Sequence, residues 1–157
     1  MPEAVRTGTP TQLWQGLLAQ AQAQVRARLP ESQESYLVFT LVRHCRDGLL
    51  PGRTMALELL DGLSQAGVVR GERLRDVGDR CLLLAGLFPG QAARRQVDPG
   101  YFLALGRSAY GELGQVRGEP LAGLYAELSN AFAGLVRVLA GIRGGVAVAS
   151  VPAMVRH

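Results

Sequence analysis

Lysine is absent from this chain of 157 residues; all seventeen basic side chains are arginine. A P-loop lysine, a Schiff-base lysine and a serine–lysine dyad each require a primary amine, so those three chemistries are excluded. Histidine is nearly as scarce, with only His44 and His157. A nucleophilic triad would have to use His44, yet the adjacent Cys45 projects about 100° away around a helix. Di-iron bundles carry a Glu-x-x-His pair, whereas the residues three before the two histidines are Leu41 and Met154. Cys45 and Cys81 lack the close ligand spacing of a zinc site and read as free thiols in a chain with no export signal. The sequence therefore assigns no catalytic residue, no metal and no cofactor.

Long apolar runs are also missing. Arg137 and Arg143 interrupt the best candidate for a membrane span, and Met1 to Arg6 lack the basic patch and apolar stretch of a secretory leader. The expectation is a cytoplasmic protein with no membrane span. What is present suffices for a core: 48% of residues are hydrophobic, 19% are charged and the net charge is +4. A single domain of this length buries roughly 68–70% of its extended surface.

The hydrophobic pattern predicts helices. Thr9, Pro10 and Gln12 form a start signal with a capping box, followed by Trp14, Leu18, Ala21, Val25 and Leu29 on one face up to Pro30. A second helix is expected from about Glu31 to Asp47, apolar on more than one side. Gly48, Pro51 and Gly52 precede a third, with Leu57, Leu60 and Leu63 expected inward. A fourth is expected after Gly71, with Leu74, Val77, Cys81, Leu84 and Phe88 inward, and Asp76 and Arg80 paired on its outer surface. Residues 91–97, with Arg94 and Arg95, read as a loop. Asp98 and Pro99 open a fifth helix through about Val116, burying Phe102, Leu105, Ala109 and Leu113; Gly100, Ala104 and Ser108 on it form a strip of small residues suited to a close helix approach. The last helix follows Glu119 and Pro120, with Leu121, Tyr125, Leu128, Phe132, Leu135, Leu139 and Ile142 alternating four and three apart until Gly144 and Gly145. The predicted fold is an all-α, compact bundle of about six helices in a single domain, with residues 1–8 a flexible N-terminus, 9–144 the bundle and 145–157 an apolar tail.

Candidate functional residues are sparse. The broad apolar face of the last helix, including Leu128, Phe132, Leu135 and Leu139, suggests self-association or contact with another protein. Tyr101, Arg107, Ser108 and Tyr110 share one region of the fifth helix and suggest a polar pocket for a small anionic ligand. The isoelectric point of about 9.7 raises nucleic acid as a partner, through a helix-turn-helix outline over residues 59–81 with a turn at 67–71; Glu72, Asp76 and Asp79 offset its arginines. His44 followed by Gly48 resembles the histidine-phosphotransfer domains over five residues, but Asp47 stands where those domains carry a lysine and repels a phosphoryl group. The leading expectation is an adaptor or regulatory module that self-associates and acts through protein contacts. A nucleic-acid-binding regulator and an anion binder near Arg107 are the alternatives.

Overall fold

In the computed structural model, residues 8–47, 55–90 and 98–149 are described. Every regular element among them is a helix: α1 (Pro10–Val25), α2 (Glu31–Asp47), α3 (Met55–Ser64), α4 (Gly67–Gly86), α5 (Pro99–Leu113), α6 (Ala122–Asn130) and α7 (Phe132–Ala149). The chain is an all-α bundle, and its helices gather into two compact units. One holds α1, α2 and the part of α7 from Val138 onward; the other holds α3 to α6 and the start of α7. The expected glycine and proline break at 48–52, the loop at 91–97, the flexible start before Gly8 and the tail beyond Ala149 lie outside the described residues.

In the first unit, Thr9 caps α1 as the sequence predicts. Its hydroxyl accepts from the Gln12 amide at 3.2 Å, and the Gln12 side chain accepts from the Thr9 amide at 3.0 Å. Such a cap contributes about 1 kcal/mol. Leu18 and Ala21 are fully buried, while Trp14, Val25 and Leu29 are half-buried. The helix stops at Val25, before Pro30, because Arg26 adopts a left-handed conformation with φ 56°. The Gln22 side chain stabilises this exit: its Oε1 accepts from the Leu29 amide at 2.8 Å, and its Nε2 donates to Glu34 at 2.6 Å. Helix α2 matches the predicted span and buries Leu37, Val38, Thr40, Leu41 and His44, leaving Phe39 exposed. Gly141 of α7 lies against Ala21 and Val25 of α1, where only a hydrogen fits easily.

In the second unit, α4 is the most enclosed helix. Leu74, Val77, Asp79, Cys81, Leu82, Leu83 and Leu84 are all buried, so apolar contacts reach it from several sides. Phe88, expected inward, is exposed because the helix has already ended at Gly86. The turn before α4 is Gln65 and Ala66 alone; residues 67–71, expected to form that turn, are its first helical turn, and Gly67 supplies the positive φ of 62° that the sharp reversal needs.

Helix α3 is rotated from the expected register. Met55, Leu59 and Gly62 face inward, and Leu57 and Leu60 are 57% and 62% exposed. Gly62 explains the choice, since it lets Leu74 and Arg73 of α4 approach where leucine would not. The small strip on α5 is corrected in the same way: Gly100, Ala104 and Ser108 are exposed. Close approaches are made instead at Gly106, against the Phe132 ring and Cys81, and at Gly114, against the backbone of Ala126.

The predicted last helix is two helices. The backbone breaks at Ala131 between α6 and α7, and α7 then continues through Gly144 and Gly145 to Ala149. Its buried series survives the break, with Tyr125, Leu128, Phe132, Leu135, Val138, Leu139 and Ile142 all in the core.

Candidate functional site

Leu128, Phe132, Leu135 and Leu139 are each 0% exposed. The face that suggested self-association is consumed within the chain, where burying each such side chain contributes about 1.5–3 kcal/mol. It offers no surface to a second copy.

Tyr101, Arg107, Ser108 and Tyr110 do not meet around one space. Tyr110 is fully buried, and its hydroxyl donates to Asp79 at 2.7 Å. Tyr101 is half-buried, and its hydroxyl accepts from the Ala56 amide at 3.3 Å while its ring meets Phe102 edge-on. Arg107 and Ser108 are exposed. The Arg107 carbonyl accepts from Ser129 at 2.9 Å, so what this segment contributes there is backbone anchoring of α6.

The arginines of α4 are largely committed to partners within the unit. Arg70 donates to the Leu63 carbonyl at 2.8 Å and to Glu112 at 3.0 Å. Arg73 pairs with Asp61 at the surface. Arg80 pairs with Glu58 at 3.2 Å and Asp76 at 3.3 Å, with the Arg80 and Glu58 side chains only 13% and 15% exposed. The expected Asp76–Arg80 pair is thus present but belongs to a half-buried cluster and not to the outer surface. Little positive charge is left to meet a nucleic-acid backbone, and the exposed Glu72 opposes it further.

Cys81 sits beside the Arg80 cluster, fully buried and free. Burial pushes its thiol up to about 12, against a smaller opposing influence from Arg80. A thiol held in that protonated state is a poor nucleophile. His44 is buried on α2. Cys45 lies outside the residues whose side chains are described. Among the described residues no group of three or more His, Cys, Asp or Glu side chains gathers around a metal-sized space. No described helix is long and apolar enough to cross a membrane.

Among the described residues, clefts of about 600 Å³ open at the α1–α2 connection and at the start of α4. The one at the α1–α2 connection is lined by Gln22, Arg26, Arg28, Glu31 and Glu34 among small apolar residues. Its most buried polar groups, Gln22 and Glu34, are bonded to each other, and its arginines and glutamates balance in charge.

The other cleft lies between the first turns of α4 and the connection from α5 to α6. Its walls are Gly67, Val68, Gly71, Leu74, Leu113, Val116, Leu121 and Tyr125, with Arg70, Glu72, Arg75 and Glu119 among them. Val68 is 77% exposed, Leu121 48% and Val116 41%. Neighbouring Val69 is exposed as well. Arg75 is half-buried, and its Nε is fully enclosed without a hydrogen-bond partner among the described residues.

Sequence reasoning misses this cleft because its walls come from three separate segments, each unremarkable alone. One signal was legible: Val68 and Val69 precede the predicted start of the fourth helix and have no place on any predicted inward face. No family model, no curated protein and no solved structure matches this chain.

Proposed function

We propose that this protein is an adaptor or regulatory module that works by contact, and that the partner it takes is a protein segment laid into the cleft between the start of α4 and the α5–α6 connection. The observation that carries this reading is the convergence of Val68, Val116 and Leu121 on one cleft while all three stay substantially exposed. Apolar side chains that ring a concavity gain from being covered by a partner. Val68 is 77% exposed at the edge of the cleft, so the apolar rim stands clear of its floor, and an extended segment covers more of that rim than a small molecule seated inside.

The groups usually recruited for bond-making support the same reading, since they serve the core here. Tyr110 is bonded to Asp79, Arg80 to Glu58 and Asp76, and the Cys81 thiol stays protonated.

The test is selection of a displayed random dodecapeptide library on the immobilised protein, in parallel on a Val68→Asp, Leu121→Asp variant. Both positions are exposed, so the variant keeps its fold. Enrichment of apolar sequences on the parent and its loss on the variant is the expected result. Equal enrichment on the two proteins, or none on the parent, overturns the reading.

A further inference from the structure

Resting on the cleft reading above, we infer that the segment recognised there carries a carboxylate side chain between apolar residues, and that Arg75 is the residue that binds it.

Three observations separate Arg75 from the other arginines of α4. Its Nε is enclosed in the cleft wall and meets no acceptor among the described residues. Nε itself is closed to solvent, so an incoming acceptor meets the terminal nitrogens of this half-buried side chain, which form no hydrogen bond or ion pair among the described residues. Arg70, which lines the same cleft, already donates to the Leu63 carbonyl and to Glu112, so it is not available to a newcomer. Arg73 and Arg80 are paired with Asp61 and with Glu58 and Asp76. The α4 guanidinium that remains therefore lines the cleft with the apolar rim.

The charge of the lining sets the kind of anion. Glu72 and Glu119 face the same cleft, and Glu112 compensates Arg70. A phosphate dianion, a phosphopeptide or a polynucleotide brings two or more charges toward those carboxylates. A single carboxylate brings one, and its planar pair of oxygens matches the guanidinium fork. Val68, Leu74, Val116 and Leu121 around Arg75 require apolar neighbours on the incoming segment. Arg75 thus acts as the selector, and the apolar rim supplies the contact area.

The dodecapeptide selection decides this when a third bait, Arg75→Gln, is added, with Arg75→Lys as a fourth. On the parent, enriched sequences are expected to hold one Asp or Glu flanked by apolar residues. On Arg75→Gln the apolar enrichment persists and the acidic preference disappears; on Arg75→Lys the preference is reduced. A dye-labelled peptide from the parent selection and its carboxylate-to-amide analogue are expected to differ about tenfold in Kd on the parent, by fluorescence polarisation, and less than about twofold on Arg75→Gln. An acidic preference that survives Arg75→Gln overturns the assignment to Arg75. Apolar enrichment on the parent without any acidic preference overturns the carboxylate and leaves the cleft reading intact. Enrichment on the parent that does not depend on Val68 and Leu121, or no enrichment on the parent at all, overturns the cleft reading itself.

Discussion

The hydroxyl of Tyr110 on α5 donates to the Asp79 carboxylate on α4 across 2.7 Å, and both residues are buried. Gly78, one residue before Asp79, makes room for the Tyr110 ring, which also stacks obliquely on Tyr125 and Phe132 at centroid distances of 5.7 and 5.8 Å. One tyrosine on α5 therefore reaches α4 through its hydroxyl and Tyr125 of α6 and Phe132 of α7 through its ring. Tyr110→Phe keeps the ring and removes a donor to a buried carboxylate. It is expected to lower stability by about 1–3 kcal/mol in urea titrations, with an unchanged m-value. A loss below about 0.5 kcal/mol would show that the bond contributes nothing to the fold.

The Arg80 cluster and the Arg73–Asp61 pair give a matched comparison of burial. Glu58→Gln removes a partner from an arginine that is only 13% exposed, whereas Asp61→Asn does so at a pair whose side chains are 32% and 49% exposed. The first is expected to cost about 1–3 kcal/mol and to change little with salt. The second is expected to cost less than about 1 kcal/mol and to vanish in 1 M salt. Chemical denaturation with urea at low and high salt separates the two.

Where the sequence was legible, a local device decided the structure. The Thr9–Gln12 capping box and the Asp98–Pro99 start each form as written, because a cap needs only the residues within one turn. The apolar stripe from Leu128 to Ile142 is buried as its spacing implies. What was not legible depends on contacts between segments. The register of α3 is chosen by Gly62 against Leu74, and the exit of α1 by the Gln22 side chain reaching Leu29 and Glu34. The same holds for the candidate site: a face rich in leucine could be read as buried or as shared with a partner, and periodicity cannot tell these apart. The cleft around Arg75 has no periodicity at all, since its walls are assembled from residues 67–75, 113–121 and Tyr125.

Cys81 couples stability to high pH. Burial raises its thiol from 9.0 to about 12, so the folded state holds the proton while the unfolded chain releases it. A group with a raised folded value contributes its full stability below the unfolded value and loses it as pH rises. Between about 9 and 12, that loss approaches about 1.4 kcal/mol per pH unit. Other groups titrate in the same range, so the difference between the parent and Cys81→Ala is the quantity to measure: it is expected to shrink steadily from pH 8.5 to pH 10.5. Iodoacetamide at pH 8 is expected to leave Cys81 unmodified in the native protein and to modify it in 6 M guanidinium, as read by peptide mass mapping.

Glycine to alanine substitutions at Gly106 and Gly134 are expected to act in opposite directions, although both residues are helical. Alanine has the higher helix propensity by about 0.8–1.0 kcal/mol, and that gain is available at either position. At Gly134 on α7 an added methyl group meets nothing within 4 Å, so the gain stands and the melting temperature rises. At Gly106 on α5 the methyl group overlaps the Phe132 ring, which is itself fully buried, and lies 3.1 Å from Cβ of Cys81. The ring has no open space to enter, so the two helices must separate, and overpacking of this kind costs about 1–3 kcal/mol. The steric cost exceeds the propensity gain, and Gly106→Ala is expected to lower the melting temperature by several degrees in a calorimetric scan. Equal stabilisation at both sites would mean that α5 and α7 do not approach each other at Gly106.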